Sequence, residues 1–202
     1  MSQGRAAAPH SKPTARPSAD PPRLALIGMP GAGKTTLGAA LARRLGCPFA
    51  DSDREMERRA GQPVSELFGS PHFRADEAAV IDELTRGPSL VLATGGGAVL
   101  CAESRARLRS RCRVVYLSAA PEELWRRLHS DRSRPLLQVA DPLGALRQLH
   151  HERAPLYQAC AHVVVQAGGL APEAVLDAVC DALARPIASQ PASAAHARIA
   201  PA

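Results

Sequence analysis

The sequence predicts an α/β fold in which five short parallel strands form a sheet covered by helices. Three observations carry this. Five apolar runs lack the polar alternation of a half-exposed strand, the pattern of strands buried on both faces. Helical periodicity fills the gaps between the runs, as parallel connections require. A glycine-rich phosphate-cradle motif joins the first run to the first helix.

The first strand is expected over 24–27. Behind it, Gly28-Met29-Pro30-Gly31-Ala32-Gly33-Lys34-Thr35 matches G-x-x-x-x-G-K-[ST], and Leu37, Leu41 and Leu45 then recur at helical spacing, giving a helix over 36–45. Glycines in such a loop let successive backbone N–H groups converge on phosphate oxygens, and the helix N-terminus adds a positive dipole end. The lysine is informative because the chain has only two, Lys34 and Lys12, and every other cation is arginine. A compact, mobile ammonium serves β- and γ-phosphates in a way the planar guanidinium fork does not. The alternative is an incidental glycine loop between a strand and a helix; the coincidence of the full motif with strand, loop and helix in the required order counts against it.

The second strand, over 48–50, exits into Asp51-Ser52-Asp53-Arg54-Glu55 and a helix over 53–60. Ser52 with Glu55 fits the S-x-x-E capping box. The two aspartates keep a further use: Asp51 suits a nucleotide's magnesium, through water, beside Thr35, and Asp53 suits an acceptor hydroxyl. A helix over 74–85 begins at Phe73-Arg74-Ala75-Asp76-Glu77, where Arg74 taken alone is a solvated cation. The third strand, 90–93, leads to Gly95-Gly96-Gly97. That run by itself is weak evidence, but after a central strand of a nucleotide fold, missing Cβ atoms point to close approach of a ligand. A helix over 102–109, a strand over 114–117 and a helix over 121–129 follow. The polar segment 131–137, which carries Arg132, Arg134 and a Pro135 stop, has the make-up of a mobile lid bringing arginine over the phosphates. A helix over 142–154, a strand over 162–165 and a helix over 172–184 complete the body. In open parallel sheets ligands bind beyond the carboxyl ends of the strands. The phosphate loop, the aspartates and the glycines each follow a strand directly.

The 202-residue chain is long enough for one well-buried core and too short for two ordinary domains. Residues 1–23 and 186–202 are rich in Ala, Pro, Ser and Arg and almost devoid of large apolar side chains, so they are expected to be disordered tails around an ordered body at 24–185. The formal charge is +6, but Arg5, Lys12, Arg16 and Arg23 against Asp20 put +3 on the first tail and Arg198 puts +1 on the second, which leaves +2 for the body. With six aromatic residues and its arginines interleaved with acids, the body does not resemble a nucleic-acid-binding surface. Five cysteines without a C-x-x-C pair argue against a disulfide framework or a zinc knuckle, and a reducing cytoplasm is the simplest compartment. No run approaches the roughly 18 apolar residues that span a bilayer, and no membrane partner is expected.

Together these pieces resemble shikimate kinase. The resemblance rests on residues 28–36, Asp51-Ser52-Asp53, Phe73-Arg74-x-x-Glu77, Ala93-Thr94-Gly95-Gly96-Gly97, Arg134-Pro135-Leu136-Leu137 and Arg153-x-Pro155-Leu156-Tyr157, in the family's order. It implies a P-loop NTPase-type parallel sheet in strand order 2-3-1-4-5, a usually monomeric protein, and transfer of the γ-phosphoryl group of MgATP to the 3-hydroxyl of shikimate. Carried over by residue, it puts Gly31, Ala32, Gly33, Lys34, Thr35, Thr36, Arg127 and Arg134 at ATP, and Thr35 and Asp51 at one Mg2+. It gives Asp53 the shikimate hydroxyls and a proton-accepting role, and puts Arg74 and Arg153 on the carboxylate, beside Gly95, Gly96 and Gly97. Lys34, Asp53 and Arg134 would be catalytic. The chain departs from the family between Phe68 and Phe73, where only Gly-Ser-Pro-His stands in place of a longer stretch. Two alternatives share the fold: a kinase for another polyol acid such as gluconate, and a catalytically silent relative that senses a ligand.

Overall fold

A computed structural model describes residues 23–129 and 138–185. The order of elements is β1 (Leu24–Ile27), α1 (Lys34–Leu45), β2 (Phe49–Asp51), α2 (Ser52–Ala60), α3 (Val64–Leu67), α4 (Phe73–Arg86), β3 (Val91–Ala93), a 3-10 turn (Ala98–Leu100), α5 (Ala102–Arg111), β4 (Arg113–Ser118), α6 (Pro121–Leu128), α7 (Pro142–Cys160), β5 (Val163–Gln166) and α8 (Pro172–Ala184). The strands form one sheet in the order β2-β3-β1-β4-β5, and every pairing is parallel. All five predicted strands are present, within a residue or so of their expected bounds.

Burial explains why β1 is central: Leu24, Ala25, Leu26 and Ile27 are all 0% exposed. The edges depart from the expectation of strands buried on both faces. β2 is half-buried throughout, and in β5 Val164 is 51% exposed. An edge strand has a neighbour on one side only, so its apolar run overstates its burial.

Several helices extend beyond their predicted ends: α2 and α4 by a residue at an end, α5 by two residues to Arg111, and α1 and α7 for identifiable reasons. α1 begins at Lys34, because Gly33 in a left-handed conformation turns the chain straight into the helix. α7 runs through Pro155 to Cys160, whereas the sequence reading ended it at 154. Proline removes one amide donor, here the partner of the His151 carbonyl, and His151 lies on an exposed face that is open to water. The short α3 and the 3-10 turn, each a single turn, have too few residues to show a period.

Arginines close several of the helix ends. The Arg113 guanidinium donates to the carbonyls of Ala182, Leu183 and Arg185 at the end of α8, and Arg109 donates to Ala159 and Ala161 at the end of α7. These carbonyls have no intrahelical partner and otherwise need water.

The main core packs α1, α5, α6, α7 and α8 on the two faces of the sheet, around Leu41, Leu92, Leu108, Val115, Leu124 and Val179. A second, smaller cluster of Met56, Phe73 and Val80 joins α2 to α4, with Val64 and Leu67 of α3 against it. The shortened stretch before Phe73 is taken up here: Phe68 lies against Phe73 with ring centroids 4.7 Å apart, and the Phe73 amide donates to the Ser70 carbonyl at 3.1 Å. Leu41 is 0% exposed in the main core, so Leu41→Ala should lower the unfolding free energy by about 2–5 kcal/mol. Val164→Ala on the exposed edge should change it by under about 0.5 kcal/mol. Urea unfolding of both variants checks the pair, and equal losses would contradict this placement of the core.

Candidate active site

β1 ends against β4, with Ile27 opposite Tyr116, so the phosphate loop starts at the carboxyl rim of the sheet. Gly28 (φ 146°) passes so close to β4 that a Cβ there would sit 2.6 Å from the Leu117 carbonyl oxygen. Glycine is required at this position by space and by conformation alike. The loop turns through an Ala32 amide to Met29 carbonyl bond of 3.2 Å, and Gly31, Ala32 and Gly33 lead into α1. Gly33 offers no side chain to cap that helix, so its first amides face the loop as donors for an anion. Lys34 is 8% exposed and folds back over the loop, its Nζ donating to the carbonyls of Gly28 at 2.8 Å and Met29 at 3.0 Å. Thr36 lines a cleft of about 260 Å³ with Gly31, Gly33, Arg127, Leu170 and Pro172. Arg127 spans the cleft, donating to the Ala167 carbonyl at 2.6 Å and the Gly31 carbonyl at 3.4 Å.

Next to the loop, Thr35 Oγ1 donates to Asp51 Oδ2 at 2.7 Å. The other Asp51 oxygen accepts from the amides of Asp53 and Arg54, making Asp51 the N-cap of α2. The predicted Ser52 cap is therefore incorrect. Ser52 is wholly buried, and its Oγ accepts the Gly95 amide at 2.8 Å instead. The parallel register sets Asp51 opposite Ala93, which brings the β2 exit to the glycine run and gives Ser52 a long-range partner that no local pattern could show.

Each of the three glycines faces a different neighbour. A Cβ at Gly95 would stand 2.5 Å from Asp53 Oδ1 and 2.7 Å from Glu77 Oε1, one at Gly96 would stand 2.8 Å from Pro30, and one at Gly97 would run into the Arg74 guanidinium. The run is thus a junction of the β2 exit, the phosphate loop and α4. Arg74 keeps 42% of its side chain exposed but is not unpaired: its Nη1 pairs with Glu77 Oε2 at 2.6 Å and its guanidinium lies 5.0 Å from the Phe73 ring centre. Burial pushes the Glu77 carboxyl above its ordinary value, and the hydrogen bond from Arg74 and the charges of Arg74 and Arg153 partly offset this. From α7, Arg153 Nη1 donates to the Gly96 carbonyl at 3.2 Å and Tyr157 Oη donates to the same oxygen at 2.6 Å. Arg153 Nε is buried and has no acceptor among the described residues.

Sequence reasoning left Glu77 and Tyr157 without roles, although both stand in quoted motifs. The signal was spacing: Glu77 lies three residues after Arg74, and Tyr157 four after Arg153, so each pair shares a helix face. The second pair became visible only once α7 continued through Pro155. Arg134 and the segment expected to act as a lid lie outside the described residues.

Phosphate cradle, acid pair at the second strand and paired arginines on one sheet rim define the class of P-loop small-molecule kinases. The family model described as shikimate kinase matches residues 30–184, and the chain belongs to the shikimate kinase family. A shikimate kinase of Paracidovorax citrulli is 52% identical over 145 residues, covering 69% of this chain and 79% of that protein. The solved shikimate kinase of Acinetobacter baumannii in complex with shikimate superposes with a TM-score of 0.78 at 41% identity, covering 81% of this chain and 93% of that one. A gluconokinase structure from Sinorhizobium meliloti reaches a TM-score of 0.55 at 19% identity, a likeness of fold alone.

Burial makes the folded state hold the Glu77 proton more tightly than the unfolded state does. This side chain's contribution therefore lowers stability as pH rises from the ordinary carboxyl value of 4.5 through its raised native value. Glu77→Gln should match or exceed the wild type in thermal midpoint above that window and lose the advantage below it. Melting curves across pH check this, and a variant less stable at neutral pH than in acid, relative to wild type, would contradict it.

Proposed function

We propose that this protein transfers the γ-phosphoryl group of MgATP to the 3-hydroxyl of shikimate, giving shikimate 3-phosphate and ADP. The observation that carries the reading is the convergence of Asp53, the Arg74–Glu77 pair and Arg153 on one glycine junction beside the phosphate loop. A small ring acid with several hydroxyls needs this donor set, guanidinium forks for its carboxylate and a carboxylate for its hydroxyls.

In the reaction the 3-hydroxyl oxygen forms a bond to the γ-phosphorus as the bond to the β,γ-bridging oxygen breaks, and the hydroxyl proton passes to Asp53. Catalysis is chiefly positioning and charge stabilisation, since phosphoryl transfer asks for little covalent work from the protein. Lys34 neutralises charge on the β- and γ-oxygens, and the α1 amides hold the phosphate chain. Arg134 would close over the transferring group, and Arg127 would flank the adenine. Thr35 and Asp51 would hold Mg2+, whose charge offsets that of the triphosphate. Their two oxygens, 2.7 Å apart, suit a hard cation. Among the described residues no group of three or more His, Cys, Asp or Glu side chains gathers to hold a metal, which suits an ion that arrives with the nucleotide and keeps water ligands.

The kinase unit is taken to be 24–185, monomeric, with a cytoplasmic site of action. Among the described residues no helix is long and apolar enough to cross a membrane.

ADP release from ATP, measured with and without shikimate, tests the reading. Release should require shikimate and magnesium; release with gluconate alone would favour the gluconate-type alternative, and none with either acceptor would favour a silent sensor. Asp53→Ala should abolish shikimate phosphorylation while leaving nucleotide binding intact, as seen by titration of ADP, and normal turnover would remove Asp53 from its role. Lys34→Ala should cut kcat by about 100-fold or more, the usual weight of one preorganised charge contact.

A further inference from the structure

We propose that Tyr157 is a positioning residue: by holding the Gly96 carbonyl, its hydroxyl aligns Arg153 and the triple-glycine backbone for the substrate's carboxylate. The inference rests on the acceptor being a ring acid, as argued above.

Gly95-Gly96-Gly97 is the stretch of backbone with the least intrinsic restraint, because three successive residues lack a Cβ. Its Gly95 and Gly97 carbonyls accept turn bonds from the Ala98 and Leu100 amides at 3.2 and 2.9 Å, and side chains pin it at two further points. Ser52 Oγ takes the Gly95 amide at 2.8 Å, and Tyr157 and Arg153 both donate to the Gly96 carbonyl, which uses its two lone pairs. The Tyr157 bond, at 2.6 Å, is the shorter. Since the peptide is planar and trans, fixing the Gly96 C=O also fixes the Gly97 N–H on the opposite edge of the same plane. Gly97 packs on the Arg74 guanidinium, so the tether reaches both arginines of the acid pocket.

Tyr157 is itself immobile. It is 1% exposed and its ring stacks on Tyr116 at 5.0 Å and 21°. Tyr116 is 2% exposed in β4, paired with Ile27 of β1 on one side and Val164 of β5 on the other. A rigid line therefore runs from the centre of the sheet to the glycine junction. Burial pushes the Tyr157 phenol well above its ordinary value, so the group remains a neutral donor at physiological pH. An ionised phenolate here would repel both the Gly96 carbonyl and an incoming carboxylate. Arg153 shares the tethered oxygen, and its buried Nε has no acceptor among the described residues. A substrate carboxylate would meet the terminal nitrogens of the guanidinium in a fixed geometry only if the side chain is held in this orientation.

Tyr157→Phe keeps the ring and its stack and removes only the tether, and the Gly96 carbonyl retains Arg153. Steady-state kinetics should show the KM for shikimate rising about 5- to 20-fold, the weight of one hydrogen bond. The KM for MgATP should stay within twofold, and kcat should change less than the shikimate KM. The analogue in which the carboxylate is replaced by a primary alcohol should show no such penalty in kcat/KM between wild type and variant. An unchanged shikimate KM, parallel rises for both substrates, or an equal penalty with the alcohol would overturn the proposal. A general loss of fold would appear as a lowered thermal midpoint; the ratio of the shikimate KM to the MgATP KM, measured at a temperature where the variant is folded, then decides, and an unchanged ratio counts against the role. A wild-type protein that does not phosphorylate shikimate would defeat the reading beneath the proposal, an outcome distinct from a normal Tyr157→Phe.

Discussion

The Ser52 hydroxyl that accepts the Gly95 amide at 2.8 Å is the bond on which the rest of the site depends. It joins the exit of β2 to the exit of β3, and everything on the acceptor side is referred to that junction. With the glycine run held there, Asp53 and Glu77 can approach Gly95 more closely than any side chain would permit, and Pro30 of the phosphate loop can lie against Gly96. The nucleotide side and the acceptor side are then two faces of one rigid piece of backbone. For an in-line transfer this matters because the two substrates need a fixed separation and alignment, not merely a shared cleft.

The division of labour between arginine and lysine follows from hydrogen-bond geometry. A guanidinium presents several donors in a fixed plane, which lets one side chain close a helix end by reaching two or three carbonyls, as Arg113 does for α8. The same fork holds Arg74 against the Glu77 carboxylate and Arg153 against Gly96. An ammonium lacks that plane but can rotate and follow a moving phosphate. Lys34 turns back onto the carbonyls of Gly28 and Met29, in a position that leaves the loop shaped around it. A chain that uses arginine wherever a fixed fork serves, and lysine at this one place in its body, reflects two different geometric demands.

Much of this was legible in the sequence because the relevant signals are local. The phosphate loop, the strand runs and the order of the helices depend on residues within a turn or two of one another, and the placement of Lys34, Thr35, Asp51 and Arg74 followed. What the sequence obscured depends on partners distant along the chain. Ser52 carries a good local capping pattern, yet it bonds to a residue 43 positions away while Asp51 caps the helix. Pro155 carries a strong local stop signal, yet packing of Tyr157 and Cys160 into the core keeps α7 helical beyond it. In both cases a burial term decided against a propensity of about a kilocalorie or a few. Burial of the edge strands erred in the other direction, since apolar content does not reveal how many neighbours a strand has.

The acceptor side is built from groups that weaken the empty protein. A carboxyl pushed up by burial at Glu77 and a buried Arg153 Nε without an acceptor among the described residues are each less favourable than an apolar filling of the same volume would be. Arg74 and Arg153 beside Glu77 hold positive charge in place for an incoming carboxylate. A carboxylate held by these guanidiniums and a triphosphate held by the phosphate loop should add to folding stability by mass action as well as fill the site. Preorganisation of this kind moves the reorganisation cost from the reaction to folding, where the apolar sheet core around β1 and β4 offsets it. The large buried core and the charge-rich rim are thus parts of one arrangement, and the first is what permits the second.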